Sequence, residues 1–334
     1  MSPEPESIRV EHELFMRTFF AVQPPLRVMN QFASNVRDMY LDEGEVIFER
    51  GQPPRRIYFV VEGTVQMEDA RGLKWIFEAR SLVGIGDANL GRPHARTATA
   101  ATDVHLLAVE VEDYFDILED NFNFARTLLL NTCRRVHELA LELPADEVFP
   151  KPTDRRLEQP WLAVGRLNDV QKLLILRNTD FAEAAPIQPL VVLARAAVEK
   201  RLEPGDVLLD RGDALDHVWF VGDGRLVVEQ EDPEIRGRFQ AGSFVLGIAG
   251  LGHDHSPYRV EVQEESVVIG VPKETLYDMM EDHFGLARQA FAYLSRNNER
   301  VRARLADLGR SRAGDRSPEP PPLRDPQSGR MRSA

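Results

Sequence analysis

Three groups of side chains in this sequence have the types and spacing to do chemistry. His253 and His255 stand two residues apart with the carboxylate of Glu261 downstream, a set whose imidazole and carboxylate donors could hold iron, manganese or zinc. Asp87 and Arg96 are an acid and a base within one short stretch, able to pair with each other or to meet a ligand. The run Arg296 to Arg304 concentrates arginine and could touch a phosphate backbone. Each has a plainer alternative: a solvated loop for the histidines, an internal ion pair or a solvent-facing pair for Asp87 and Arg96, an exposed amphipathic helix for the arginines. The loop and the exposed helix are the expected outcomes, so no metal is expected. Neither a Gly-x-x-x-x-Gly-Lys-Ser/Thr phosphate loop nor a Gly-x-Ser-x-Gly turn is present, and the remaining acids and arginines are scattered. The chain is therefore expected not to be an enzyme and to carry no catalytic residue or resident cofactor.

The elements that must position these residues follow from an internal repeat. Shifting the 334-residue sequence by 161 positions superposes Phe20 on Phe181, Pro25 on Pro186, Gly44 on Gly205, Val46 on Val207, Gly51 on Gly212, Phe59 on Phe220 and Gly63 on Gly224. After small length changes Arg96 meets Arg259, Phe122 meets Phe284, Ala125 meets Ala287 and Leu143 meets Leu305, at shifts of 162 to 163. Glycines and aromatics dominate the matches, so charge or helical bias cannot produce them. Each copy opens with an apolar helical segment (11–22 and 169–181). A proline turn leads to a second helix expected to reach about 38 or 199, and then the period becomes strand-like. Gly44–Phe48 and Gly205–Leu209, then Arg56–Val61 and His217–Val221, are short strands, the latter pair ending at Glu62-Gly63 and Asp223-Gly224. Helical segments, 112–142 and 273–308, close the copies.

The expected fold is mainly β with flanking helices: two tandem jelly-roll-like β-rolls, each with N- and C-terminal helices. The expected boundaries are roll one at 11–143, a Pro-rich linker at 144–168, roll two at 169–308 and a disordered Arg/Ser/Pro tail at 309–334.

The strand frame Gly-Glu-Val-Ile-Phe-x-x-Gly (Gly44 to Gly51), followed by Ile57-Tyr58-Phe59-Val60 and Glu62-Gly63, resembles the cyclic-nucleotide-binding domain family, which includes kinase regulatory subunits and catabolite-activator-type regulators. In that family a cassette of Phe-Gly-Glu, a short helix and then Arg-(Ser/Thr/Ala)-Ala-x-Val holds the ribose phosphate. The resemblance implies helix N–H groups and the arginine at the phosphate and the acid at the ribose hydroxyl. Carried over, the ligand-binding residues of roll one are Gly86, Asp87, Ala88, Arg96 and Thr97, with Asp87 one methylene shorter than the family's Glu. A competing register, anchored on Pro93, puts Gly84 at the glycine, Ile85 at the acid and His94 at the arginine; it would mean a dead site. The first register is preferred because Arg96-Thr97-Ala98-Thr99-Ala100 stays in pattern. In roll two the corresponding residues are Gly247, Gly250 and Arg259: the acid has become Gly250, and Glu261 beside Arg259 would repel a phosphate or pair with the guanidinium. This second site is expected to be degenerate. His253 and His255 are also similar to the metal motif of cupins, but Glu261 is too far along and the usual Gly-Pro-Gly-x-x-His segment is absent.

The resemblance implies a regulatory sensor that binds a cyclic nucleotide such as cAMP or cGMP, or a related ligand, in roll one, shifting a closing helix toward a protein partner. The alternative is an interaction scaffold whose two rolls bind no small ligand. A transcription regulator needs a helix-turn-helix, for which residues 306–334 are too short and Pro-rich, and the net charge of −13 does not favour DNA. Kinase regulatory subunits begin with a dimerisation helix pair and a basic inhibitory segment, for which residues 1–10 have no room. A homo-oligomer is an open possibility. The polar, acidic start, the lack of an apolar run of ~18–20 residues and the single cysteine, Cys133, expected as a core residue, point to a cytoplasmic protein with no membrane contact.

Overall fold

The structure, a computed structural model, describes residues 11–13, 15, 19, 24–152, 165–231 and 234–314. In roll one the helix α1 (Leu26–Asn35) starts at the Pro25 N-cap and buries Val28, Met29, Phe32 and Ala33, one helical face. Val36 then leaves helical geometry, and β1 (Arg37–Leu41) begins earlier than the expected end of the helix near 38. The same happens in roll two, where α6 (Ile187–Ala196) gives way at Ala197 to β9 (Val198–Leu202). Both strands are claimed by long-range pairing, β1 with β8 (Val104–Glu110) and β9 with β13 (Val260–Pro272), which overrides the local helical period.

Roll one continues through β2 (Val46–Phe48), β3 (Arg56–Glu62), β4 (Val65–Glu68), β5 (Lys74–Phe77), β6 (Leu82–Val83), the short helix α2 (Ile85–Leu90) and β7 (Thr97–Ala100) before β8. Two antiparallel sheets result, β1-β8-β3-β6 and β2-β7-β4-β5, with Ile47, Phe48, Tyr58, Val60, Val65, Met67 and Leu106 between them. The closing helices are α3 (Val111–Asp120) and α4 (Phe122–Ala140).

Roll two repeats the plan. α5 (Asp169–Arg177) starts in a capping box between Asn168 and Gln171. After α6, β9 and β10 (Val207–Leu209) come β11 (His217–Glu231), β12 (Glu234–Gln240), α7 (Ile248–Gly252), β13, α8 (Lys273–Asp282) and α9 (Phe284–Gly314). Gly63 and Gly224 show why the duplication kept its glycines. Their φ values are +83° and +86°, and a Cβ on either would lie 2.2 Å from a backbone carbonyl, that of Asp103 or Glu265. Only glycine fits. In roll one this glycine ends β3; in roll two β11 runs through it with shifted register, so the expected strand end becomes a bend.

The expected linker and tail need correction where they are described. Val148 and Phe149, from the segment assigned to the linker, are 4% and 5% exposed in the core of roll two. Helix α9 runs to Gly314, past the expected end at 308. Residues 153–164 and 315–334, the rest of the linker and tail, lie outside the described residues, as does most of the expected helix 11–22, of which Glu11–Glu13, Phe15 and Phe19 are helical. No helix among the described residues is long and apolar enough to cross a membrane.

The closing helices are exchanged. α4 of roll one packs on α7 of roll two, while α9 of roll two packs on α2 of roll one, and α4 and α9 meet each other. One apolar core, including Phe32, Phe59, Leu118, Leu129 and Cys133 of roll one with Phe181, Phe220, Leu251, Leu286 and Phe291 of roll two, runs across this seam. Fully burying each such side chain contributes roughly 1.5–3 kcal/mol. Each cassette helix is thus covered by the other roll's last helix.

Candidate ligand site and copy interface

The chain enters α2 through Gly84, at φ +88°, with Ile85 as the first helical residue. A Cβ at Gly84 would meet the Arg56 carbonyl at 3.2 Å. Gly86 and Asp87 therefore lie inside the helix rather than at its mouth. The strand pairing fixes how the two rolls align. Val46 pairs with Thr99 and Phe48 with Ala98, as Val207 pairs with Glu261 and Leu209 with Val260. The Gly51 N–H donates to His94 O, as the Gly212 N–H donates to Ser256 O. Thr97 thus matches Arg259 and Arg96 matches Tyr258, which corrects the expected Arg96/Arg259 match by one residue. Gapped alignment on arginine alone could not see the sheet register.

Asp87 is 2% exposed. Its Oδ1 accepts from Arg92 Nε at 2.9 Å; its Oδ2 accepts from the Ala95 N–H at 3.2 Å and lies 3.4 Å from His94 Nδ1. Burial by itself would raise this carboxyl, but the hydrogen bonds from His94, Arg92 and Ala95 outweigh it and hold it below the usual carboxylate range. His94 is itself buried, its ring stacked on Phe48 with centroids 3.7 Å apart. Both carboxylate oxygens of Asp87 are thus committed to fastening the loop after α2. Ala88 is buried in the seam core, and the Thr97 hydroxyl accepts from the Arg50 N–H at 3.1 Å.

Arg96 and Arg92 converge on one carboxylate from the other roll, that of Glu299 on α9. Arg92 Nη2 donates to both its oxygens at 2.7 and 2.9 Å, and Arg96 Nη1 donates to Oε1 at 2.9 Å. The Arg96 guanidinium also lies 4.3 Å from the centre of the Trp75 ring. One turn earlier on α9, Ser295 Oγ accepts from Asn89 Nδ2 at 2.9 Å. Asp87, Arg92, Glu299 and Arg96 form one chain of alternating charge across the seam. Arg92, Glu299 and Trp75 were not singled out from sequence; Glu299 sits in the arginine run expected to be an exposed helix, yet Arg300 donates to the carbonyls of Glu147 and Val148 and Arg304 pairs with Glu147.

In roll two every residue of α7 is buried, Gly250 among them. A Cβ at Gly247 would lie 2.6 Å from the Tyr293 hydroxyl, and one at Gly252 2.9 Å from the backbone N of Arg134 on α4. The Arg134 side chain also donates to the Gly252 carbonyl. Arg259 is on the outer surface, paired with Asp210 at 2.9 Å and Glu261 at 3.4 Å, so the carboxylate next to it does pair with it. His253 turns away from His255 to His137 of α4: His253 Nε2 is 2.9 Å from His137 Nδ1, and His137 Nε2 is 2.7 Å from the Tyr258 hydroxyl. His255 is exposed, and among the described residues no cluster of three or more His, Cys, Asp or Glu is placed to hold a metal. Burial pushes the Cys133 thiol up to about 12, as fits a core residue.

No curated protein matches the chain. Among solved structures, the regulatory domain of Toxoplasma gondii protein kinase A with cAMP is 12% identical, covering 94% of this chain and 99% of that one, at a TM-score of 0.34. The regulatory subunit of a cAMP-independent protein kinase A from Trypanosoma brucei is 16% identical, covering 86% and 88%, at 0.31. The N-terminal domain of a transcriptional regulator from Streptomyces coelicolor is 25% identical, covering 38% and 93%, at 0.32. The sequence profile of the cyclic nucleotide-binding domain matches residues 39–121 and again 199–283, together just over half of the chain. The chain belongs to the cyclic nucleotide-binding domain family, in two tandem copies.

Proposed function

We propose that this chain is a non-catalytic regulatory protein whose two rolls act as an interaction module for a protein partner, with both cassettes closed by the chain itself. The observation that carries this reading is Glu299 held by Arg92 and Arg96 across the seam. It is supported by Asp87, whose oxygens are both engaged internally, and by α7, buried under α4. In this reading the exchanged closing helices fix one relative placement of the rolls, and the partner recognises that composite surface. A second reading is a cyclic-nucleotide sensor in roll one using Gly86, Asp87, Ala88, Arg96 and Thr97; the survival of Arg96 beside the aromatic Trp75 favours it.

Calorimetric titration of the wild-type chain with cAMP and cGMP separates the two. The interaction module predicts no heat of binding for either. Micromolar binding that disappears in Arg96→Ala, with the variant shown to be folded, would overturn it in favour of the sensor.

A further inference from the structure

Arg92, Arg96 and Asn89 line the α2 side of the seam, and a carboxylate from α9 only partly satisfies them. Glu299 has two oxygens. They accept from Arg92 Nη2 and Arg96 Nη1, and the buried Arg96 Nε is left with no acceptor. Beside Ser295, one turn earlier on α9, the buried Oδ1 of Asn89 on α2 is left with no donor. A buried donor or acceptor without a partner costs about 1–3 kcal/mol, so two in one seam indicate a site built for more than its present occupant. A terminal phosphate brings three oxygens where the carboxylate brings two, and a guanidinium pair recognises it through several N–H groups at once. A hydroxyl next to that phosphate would satisfy Asn89 Oδ1.

We propose that Arg92 and Arg96 form a binding site for a phosphomonoester of a small hydroxylated compound, that Glu299 is its internal stand-in, and that the ligand competes with Glu299 and frees α9 from α2. The site faces the seam, where both guanidinium groups reach across to α9. A phosphodiester such as cAMP, with only two free oxygens, has no advantage over the carboxylate. The inference rests on the closed state proposed above.

The test uses the full chain, with glucose 6-phosphate, inorganic phosphate and cAMP as probes at matched ionic strength. Glu299→Gln removes the competing charge and is expected to bind glucose 6-phosphate at least about 10-fold tighter than the wild type, with inorganic phosphate weaker and cAMP weakest. Adding Arg96→Gln to that variant is expected to abolish the gain. Equal affinity in wild type and Glu299→Gln, or a gain that persists in the double variant, overturns the proposal. Should Glu299→Gln not fold, hydrogen exchange on the wild type decides: glucose 6-phosphate must raise exchange in residues 292–303, and unchanged exchange overturns the site. Slow exchange there without ligand, unaffected by it, leaves the closed module standing and removes only this site; fast exchange without ligand removes the closed module itself.

Discussion

Phe149 lies with its ring against Gly237 of β12, so close that a Cβ on that glycine would sit 2.6 Å from Phe149 Cδ2. The same ring meets Phe239 and Tyr258 edge-on, each with centroids 5.3 Å apart. A residue from the segment joining the two rolls thus belongs to the core of the second, and the join is a structural part of roll two.

Phe149→Ala is expected to destabilise the chain by about 3–5 kcal/mol, since it empties a buried aromatic position. Gly237→Ala should cost less, about 1–3 kcal/mol, because the backbone and ring can share the displacement. Urea denaturation midpoints for the two variants check both the sign and the order.

The pair His137 and His253 makes the copy interface sensitive to acid. Burial, then repulsion from His253, pushes His137 down to about 4, and burial also lowers His253. The unfolded chain would bind protons here from about pH 6.5 downward, while the folded one resists. More protons on the unfolded state means that stability rises with pH in this window, so it is full above about 6.5 and falls as the pH drops toward 4. Arg134 and Lys273, which face His253 from α4 and α8, add positive charge, opposed by the carboxylates of Glu138 and Asp254. The His137 contribution is on the order of 3 kcal/mol. Unfolding free energies at pH 7.5 and 5 should differ by about 2 kcal/mol from this group, the rest being lost nearer pH 4, and His137→Gln should flatten the difference.

Asp87→Ala removes a buried carboxylate that fastens three donors. The expected loss is about 2–3 kcal/mol, most of it from leaving His94 and the Ala95 N–H unpaired. Arg92→Ala should cost clearly less, since that side chain is 41% exposed and its ion pairs are screened. Thermal unfolding of the two variants side by side tests the ranking; equal losses would contradict the fastening role of Asp87.

Much of the fold was legible because it is written in local rules. Gly63 and Gly224 must be glycine for their backbone angle and close approach, and the short continuous apolar runs Ile57–Val60 and Val218–Val221, each followed by a turn glycine, mark fully buried strands. The cassette was harder. Arg96 and Arg259 look alike in sequence, but the pairing of Phe48 with Ala98 and Leu209 with Val260 offsets them by one residue, and in a strand one residue reverses the face.

By itself the sequence determined the duplication, the two β-rolls and their family, since these rest on turns, periodicity and repeated glycines that each segment carries within itself. Only the tertiary structure decided which helix closes which cassette, that Asp87 faces inward, and that Arg92 and Arg96 hold Glu299. Those contacts join residues some 200 positions apart. No local pattern encodes them, because they arise when the apolar faces of α4 and α9 find their burial on the opposite roll and bring their charged neighbours along.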